Sequence, residues 1–82
     1  MEIHHMKKKI SMVVPFDVMK DNIKTHEHWV RTDWKTKDRY VTLADDRYCT
    51  PCLLLVYQST NDYVIFKPTY NDYNNRWKKI NA

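Results

Sequence analysis

The chain has 82 residues, 43% hydrophobic and 13% aromatic against 29% charged, a balance that excludes a disordered tail and describes one folded domain with a small core. Its net charge is +4, but the excess lies at the ends: residues 1–9 hold three Lys and one Glu, residues 76–82 hold Arg76, Lys78 and Lys79, and the body between has eight basic and nine acidic groups. This excludes the basic stripe of a duplex binder, and the absence of glycine excludes P-loop and dinucleotide fingerprints, which need residues without a β-carbon where backbone meets phosphate.

"MEIHHMKKK" at 1–9 reads as a basic N-terminal extension, and 10–82 as a single compact domain. "ISMVV" is extended and runs into Pro15. After it, Phe16, Met19 and Ile23 at i, i+3 and i+7 predict a helix of two to three turns with Asp17 in its first turn. From "HEHWVRTDW" the period changes to two, which puts Trp29, Arg31 and Asp33 on one face of a strand and Val30, Thr32 and Trp34 on the other. "KTKD" connects this strand to "RYVTLA" at 39–44 as a hairpin. "CLLLVYQ" at 52–58 lacks alternation and suits a strand buried on both faces, and the "STND" turn pairs it with "YVIFK" at 63–67. There Tyr63 and Phe66 point opposite ways, so one of them is core on a given side. Pro68 ends that strand because it cannot donate to a ladder. Residues 69–75 read as a turn or a single helical turn, and "RWKKI" as a last short strand. "DD" at 45–46, "TND" at 60–62 and "YND" at 70–72 supply the turn chemistry that glycine would otherwise provide. The expected fold class is α+β, one short N-terminal helix packed on a small antiparallel β-sheet.

The longest apolar run, Leu53 to Tyr57, is far below the roughly 20 residues that cross a bilayer. The N-terminus also lacks a signal peptide's apolar stretch, so a cytosolic protein is expected. Cys49 and Cys52 form C-T-P-C, but a thioredoxin-type motif needs a strand before it and a helix after it. A charged turn precedes this pair and an apolar strand follows, so two reduced, unreactive thiols are expected. His26 and His28 could complete a zinc set with them, but nothing in the spacing joins the pairs; surface histidines and no metal are expected. Ser11 and Ser59 lack a histidine at a diagnostic spacing, and Asp45–Asp46 suits a turn, so no catalytic constellation emerges. Trp29, Arg31 and Trp34 lie within six residues, where indoles can stack a nucleobase and a guanidinium can pair with a phosphate. One Trp could equally be core and the other an oligomer contact.

"FDVMKDNIKTHEHWVRTDWKTKDRYVTL" resembles the opening of the phage Thoeris anti-defense 2 domain, in which a short helix is followed by a basic turn, an R-x-x-W strand and a second strand carrying an aromatic. "FKPTYNDYNNRWKKI" resembles that family's ending, a Pro-Ser/Thr-x-x-Asp turn followed by a tryptophan. Phe16, Arg31, Trp34, Tyr40, Pro68, Thr69, Asp72 and Trp77 match. Asp33 stands where the family often has glycine, Arg76 where it usually has an acidic residue, and the step from Asp72 to Trp77 is one residue short. The resemblance implies a phage protein of the host cytoplasm that is not an enzyme. It would sequester a cyclic nucleotide second messenger, of the cyclic ADP-ribose type or a cyclic oligonucleotide, without hydrolysing it and without a cofactor. It would act as a homo-oligomer, dimer or tetramer, with pockets between subunits and no membrane or nucleic-acid partner. Trp29, Arg31, Trp34, Tyr40 and Asp72 would bind or frame the ligand. The tail would form a capping turn in which Asp72 and Thr69 hold backbone donors and Trp77 returns to the sheet. The competing expectation is a small inhibitor that grips a host protein or single-stranded nucleic acid through basic ends and exposed aromatics.

Overall fold

The computed structural model describes residues 13–81; the N-terminal extension and the start of the expected 10–14 strand lie outside them. The architecture is α+β: one six-stranded antiparallel sheet with two short helices. Strand β1 (Val13–Pro15) leads into helix α1 (Phe16–Asn22), and strands β2 (Trp29–Arg31), β3 (Arg39–Ala44), β4 (Cys52–Tyr57) and β5 (Asp62–Ile65) follow as a meander. Helix α2 (Tyr70–Tyr73) precedes the last strand, β6 (Arg76–Lys79). The strand order is β1-β6-β2-β3-β4-β5, so the final strand lies between the first two, with Val14 opposite Trp77 and Arg31 opposite Trp77 on its other side.

Helix α1 has only seven residues, too few to persist alone in water. Burial of its Phe16, Met19 and Ile23 stripe against the sheet supplies what propensity cannot. The chain leaves the helix where Ile23 turns extended while its N–H still bonds to Met19 O at 2.8 Å.

The core on the helix side of the sheet centres on Trp77, whose ring is wholly enclosed. Its centroid lies 5.6 Å from Phe16, and it meets Trp34 and Phe66 edge-on at 5.4 Å and 5.9 Å, separations at which aromatic pairs attract beyond simple burial. Buried indole needs a partner for its N–H, and Trp77 Nε1 donates to Asp72 O at 3.0 Å. Phe66 belongs to this core, whereas Tyr63 stays exposed on the other face.

The absence of alternation in 52–57 has the expected cause. Leu53 and Leu55 pack on the helix-side core, while Cys52, Leu54 and Val56 form a second cluster on the opposite face with Tyr40, Ala44, Cys49 and Ile65. The 45–51 loop closes over that cluster through a hydrogen bond from the Tyr63 hydroxyl to Asp46 (2.7 Å) and one from Asp46 N to Cys49 O. Cys49 and Cys52 are joined as a disulfide, which corrects the expectation of reduced thiols. Strand entry at Cys52 brings the two Cα atoms within 5.5 Å, inside the range a disulfide spans.

Two local expectations are also corrected. The strand expected from residue 26 starts only at Trp29, because His26 adopts a left-handed backbone (φ 68°) and breaks the extended run. The same strand ends at Arg31 rather than continuing to Trp34. Residues 32 and 33 turn, Trp34 N bonds to Arg31 O at 3.0 Å, and Trp34 comes back to the face that Arg31 occupies instead of the opposite one. Of the two readings of 69–75, the helical turn is the one adopted, with "YND" inside α2.

Trp77→Ala should cost about 3–5 kcal/mol, a large share of the roughly 5–15 kcal/mol that holds such a domain together. Urea denaturation should show a collapsed or lost cooperative transition. Tyr70→Ala, at a side chain 79% exposed, should move the midpoint little.

Candidate functional site

Arg31 is the hub of the tail and the β2–β3 connection. Its Nη1 donates to Asp72 Oδ1 at 2.7 Å, while Nε and Nη2 grip Asp33 Oδ1 and Oδ2 at 2.7 Å and 3.0 Å. The two carboxylates differ in kind. Asp72, with its side chain 7% exposed, also accepts the Thr69 N–H at 2.7 Å and the Thr69 hydroxyl at 3.1 Å, which caps α2. Asp33 is 47% exposed and directs both oxygens at Arg31. The Arg31 hydrogen bonds hold the Asp33 carboxyl below its usual range, and Asp33 in turn raises Arg31.

Trp34 lies beside two guanidinium groups, with Arg39 Cζ 4.7 Å and Arg31 Cζ 5.4 Å from its ring centroid, inside cation–π range. Arg39 Nε is buried without a hydrogen bond among the described residues; Asp38 Oδ1 is 3.9 Å away. These three side chains separate two clefts of ≈ 390 Å³ each. One, towards α2, is open and includes Lys67, Thr69 and Asp72. The other is more enclosed, and Trp34, Lys37, Arg39, Gln58 and Lys78 line it together with Arg31. None of its described lining residues is acidic.

The enclosed cleft exists because β2 and β3 pair at a single position, Trp29 with Val41. Beyond it the strands part, and residues 32–38 bridge the gap. Lys78 reaches the cleft from β6, where it alternates with the buried Trp77. The volume falls within the range of about 300–1,000 Å³ typical of small-molecule sites.

Of the residues expected from sequence, the structure brings Arg31, Trp34 and Asp72 together. It places Trp29 and Tyr40 elsewhere. Trp29 is buried in the core, and its Nε1 donates to Glu27 Oε1 at 3.2 Å. Tyr40 is on the opposite face, stacked on His28 with ring centroids 3.7 Å apart. Burial pushes the His28 imidazole below its usual pKa, and the His26 charge adds to this. Among the described residues no group of three or more His, Cys, Asp and Glu is placed to hold a metal ion, and no helix is long and apolar enough to cross a membrane. Sequence reasoning missed Lys37, Arg39, Gln58 and Lys78. Lys37 sits in the hairpin connection that follows Trp34 and Arg39 opens β3, and this proximity in sequence was the available signal. Gln58 and Lys78 carried none, since only the sheet order puts them there.

No protein-family model, curated protein or solved structure matches the chain.

Removing the Asp72 carboxylate leaves Arg31 facing a half-buried gap and uncaps α2. Asp72→Ala should therefore destabilise by about 3–5 kcal/mol, read as a lower urea midpoint. Glu27 offers a pH test. Burial pushes its carboxyl up, but hydrogen bonds from Lys24 N, Trp29 and Lys79 outweigh this, and its pKa lies below the usual value. Such a group contributes stability above its unfolded-state pKa and loses it as pH falls through the folded one. Glu27→Gln should flatten the acid loss of stability between about pH 5 and pH 3, measured by denaturant titration at each pH.

Proposed function

We propose that this chain binds a cyclic nucleotide second messenger in the cleft beside Trp34 and holds it without turnover, so that it lowers the free messenger concentration by mass action. The observation that carries this is the composition of the enclosed cleft: Arg31, Lys37, Arg39 and Lys78 gathered around one indole, with no acidic residue in the described lining. Four cations lining one cleft repel one another, and a bound dianion relieves that repulsion. An indole ring provides a stacking surface for a base. Gln58 adds an amide that can donate to and accept from a base edge. The resemblance to the Thoeris anti-defense 2 domain points the same way, and with it to a phage protein working as a homo-oligomer in the host cytoplasm.

Arg31 has a different part from the one expected. With two carboxylates already on it, it contributes less free charge than Lys37, Arg39 or Lys78, which become the chief anion contacts. Trp34 carries the stacking, and Asp72 holds the wall in place.

The purified chain, incubated with cyclic ADP-ribose isomers and cyclic di- and trinucleotides, washed and heat-denatured, should release one of them intact. Trp34→Ala and Lys78→Ala should each cut retention about tenfold or more, a loss of about 1.4 kcal/mol. A converted product would indicate an enzyme. An empty panel together with a stoichiometric protein captured from host lysate would favour the inhibitor instead, whose anchors would be the exposed Tyr48, Tyr63, Val64 and Tyr70.

A further inference from the structure

Arg31 holds one carboxylate that is enclosed and one that is open to solvent. Asp72 is enclosed and tied to Thr69 as well as to Arg31, so it cannot leave without undoing the α2 cap. Asp33 is half-exposed in the two-residue turn that ends β2, and its side-chain hydrogen bonds among the described residues all go to Arg31. It occupies the Nε–Nη2 fork of the guanidinium, and that fork receives a phosphate with the same geometry as a carboxylate. The Asp33 side of this pair is open to solvent, so a carboxylate released from it returns to water.

Resting on the reading of the cleft as an anion site, we propose that Asp33 is a displaceable internal occupant of the Arg31 fork, which a phosphate group of the ligand evicts on binding. Displacement makes Asp33 a specificity-determining residue. A singly charged carboxylate would gain nothing by replacing a tethered one, because the tether gives Asp33 a high local concentration. A phosphate brings more charge and further oxygens, and Arg31 itself is part of the lining of the cleft that Lys37, Arg39 and Lys78 also line. Asp33 therefore sets a threshold that phosphates cross and ordinary metabolite carboxylates do not.

Inorganic pyrophosphate and succinate, titrated calorimetrically into the wild type, Asp33→Asn and Asp33→Ser, test this. Asp21→Asn, an exposed change of the same charge on α1, controls for net charge. Both Asp33 variants should bind pyrophosphate about tenfold more tightly than the wild type and should acquire succinate binding, while Asp21→Asn stays within about twofold. Adding Arg31→Gln to Asp33→Asn should abolish the gain. Equal gains in the Asp21 and Asp33 variants, or no gain in either, would overturn the displacement. If a nucleotide is still retained from the panel in that case, the cleft keeps its assignment and only the role of Asp33 falls. If nothing is retained and no variant binds pyrophosphate, both fall together.

Discussion

The Asp72 carboxylate is the constraint on which the structure turns. One oxygen accepts from Arg31 on β2, the other from Thr69 at the start of α2, and the backbone carbonyl of the same residue accepts the Trp77 indole N–H. A single residue thus fixes the helical turn, the direction in which β6 departs and the position of the guanidinium that walls both clefts. The polar tail is not a frayed end. It is a cap that feeds the largest core side chain into the middle of the sheet.

That arrangement explains how a domain this small can present cations in a cluster. β6 is held from both sides by β1 and β2 and from beneath by the aromatic core, so its exposed residues have little freedom to move apart. Lys79 faces the helix side and pairs with Glu27 at 3.2 Å; Lys78 faces the other side, towards the cleft. The alternation of one strand therefore divides a neutralised cation from one that has no carboxylate partner among the described residues.

Much of the fold was legible because it rests on local rules. The apolar stripe of α1, the full span of β3 and the doubly buried β4 all follow from periodicity, whereas β5 ends at Ile65, two residues short of the expected 63–67 strand and before Pro68 is reached. What sequence could not reveal was long-range. A period-two pattern continues formally through "WVRTDW", but the Arg31–Trp34 hydrogen bond turns the chain and reverses the face of Trp34. Tyr40 was grouped with Arg31 on motif resemblance, although the pleat puts it on the far side. The disulfide depends on how the 45–51 loop closes on β4, and a C-x-x-C spacing alone does not determine that.

The strand order also has a bearing on how the molecule assembles. The β2–β5 meander closes short loops and can consolidate early, whereas β1, at the edge of the sheet, has β6 as its one neighbour among the described strands and must wait for residues 76–79. Such non-local closure is slow relative to hairpin formation. The amino-terminal strand thus lacks its β6 partner until ribosomal synthesis has passed Trp77. The binding cleft, built partly from Lys78, is among the last features of the molecule to come into being.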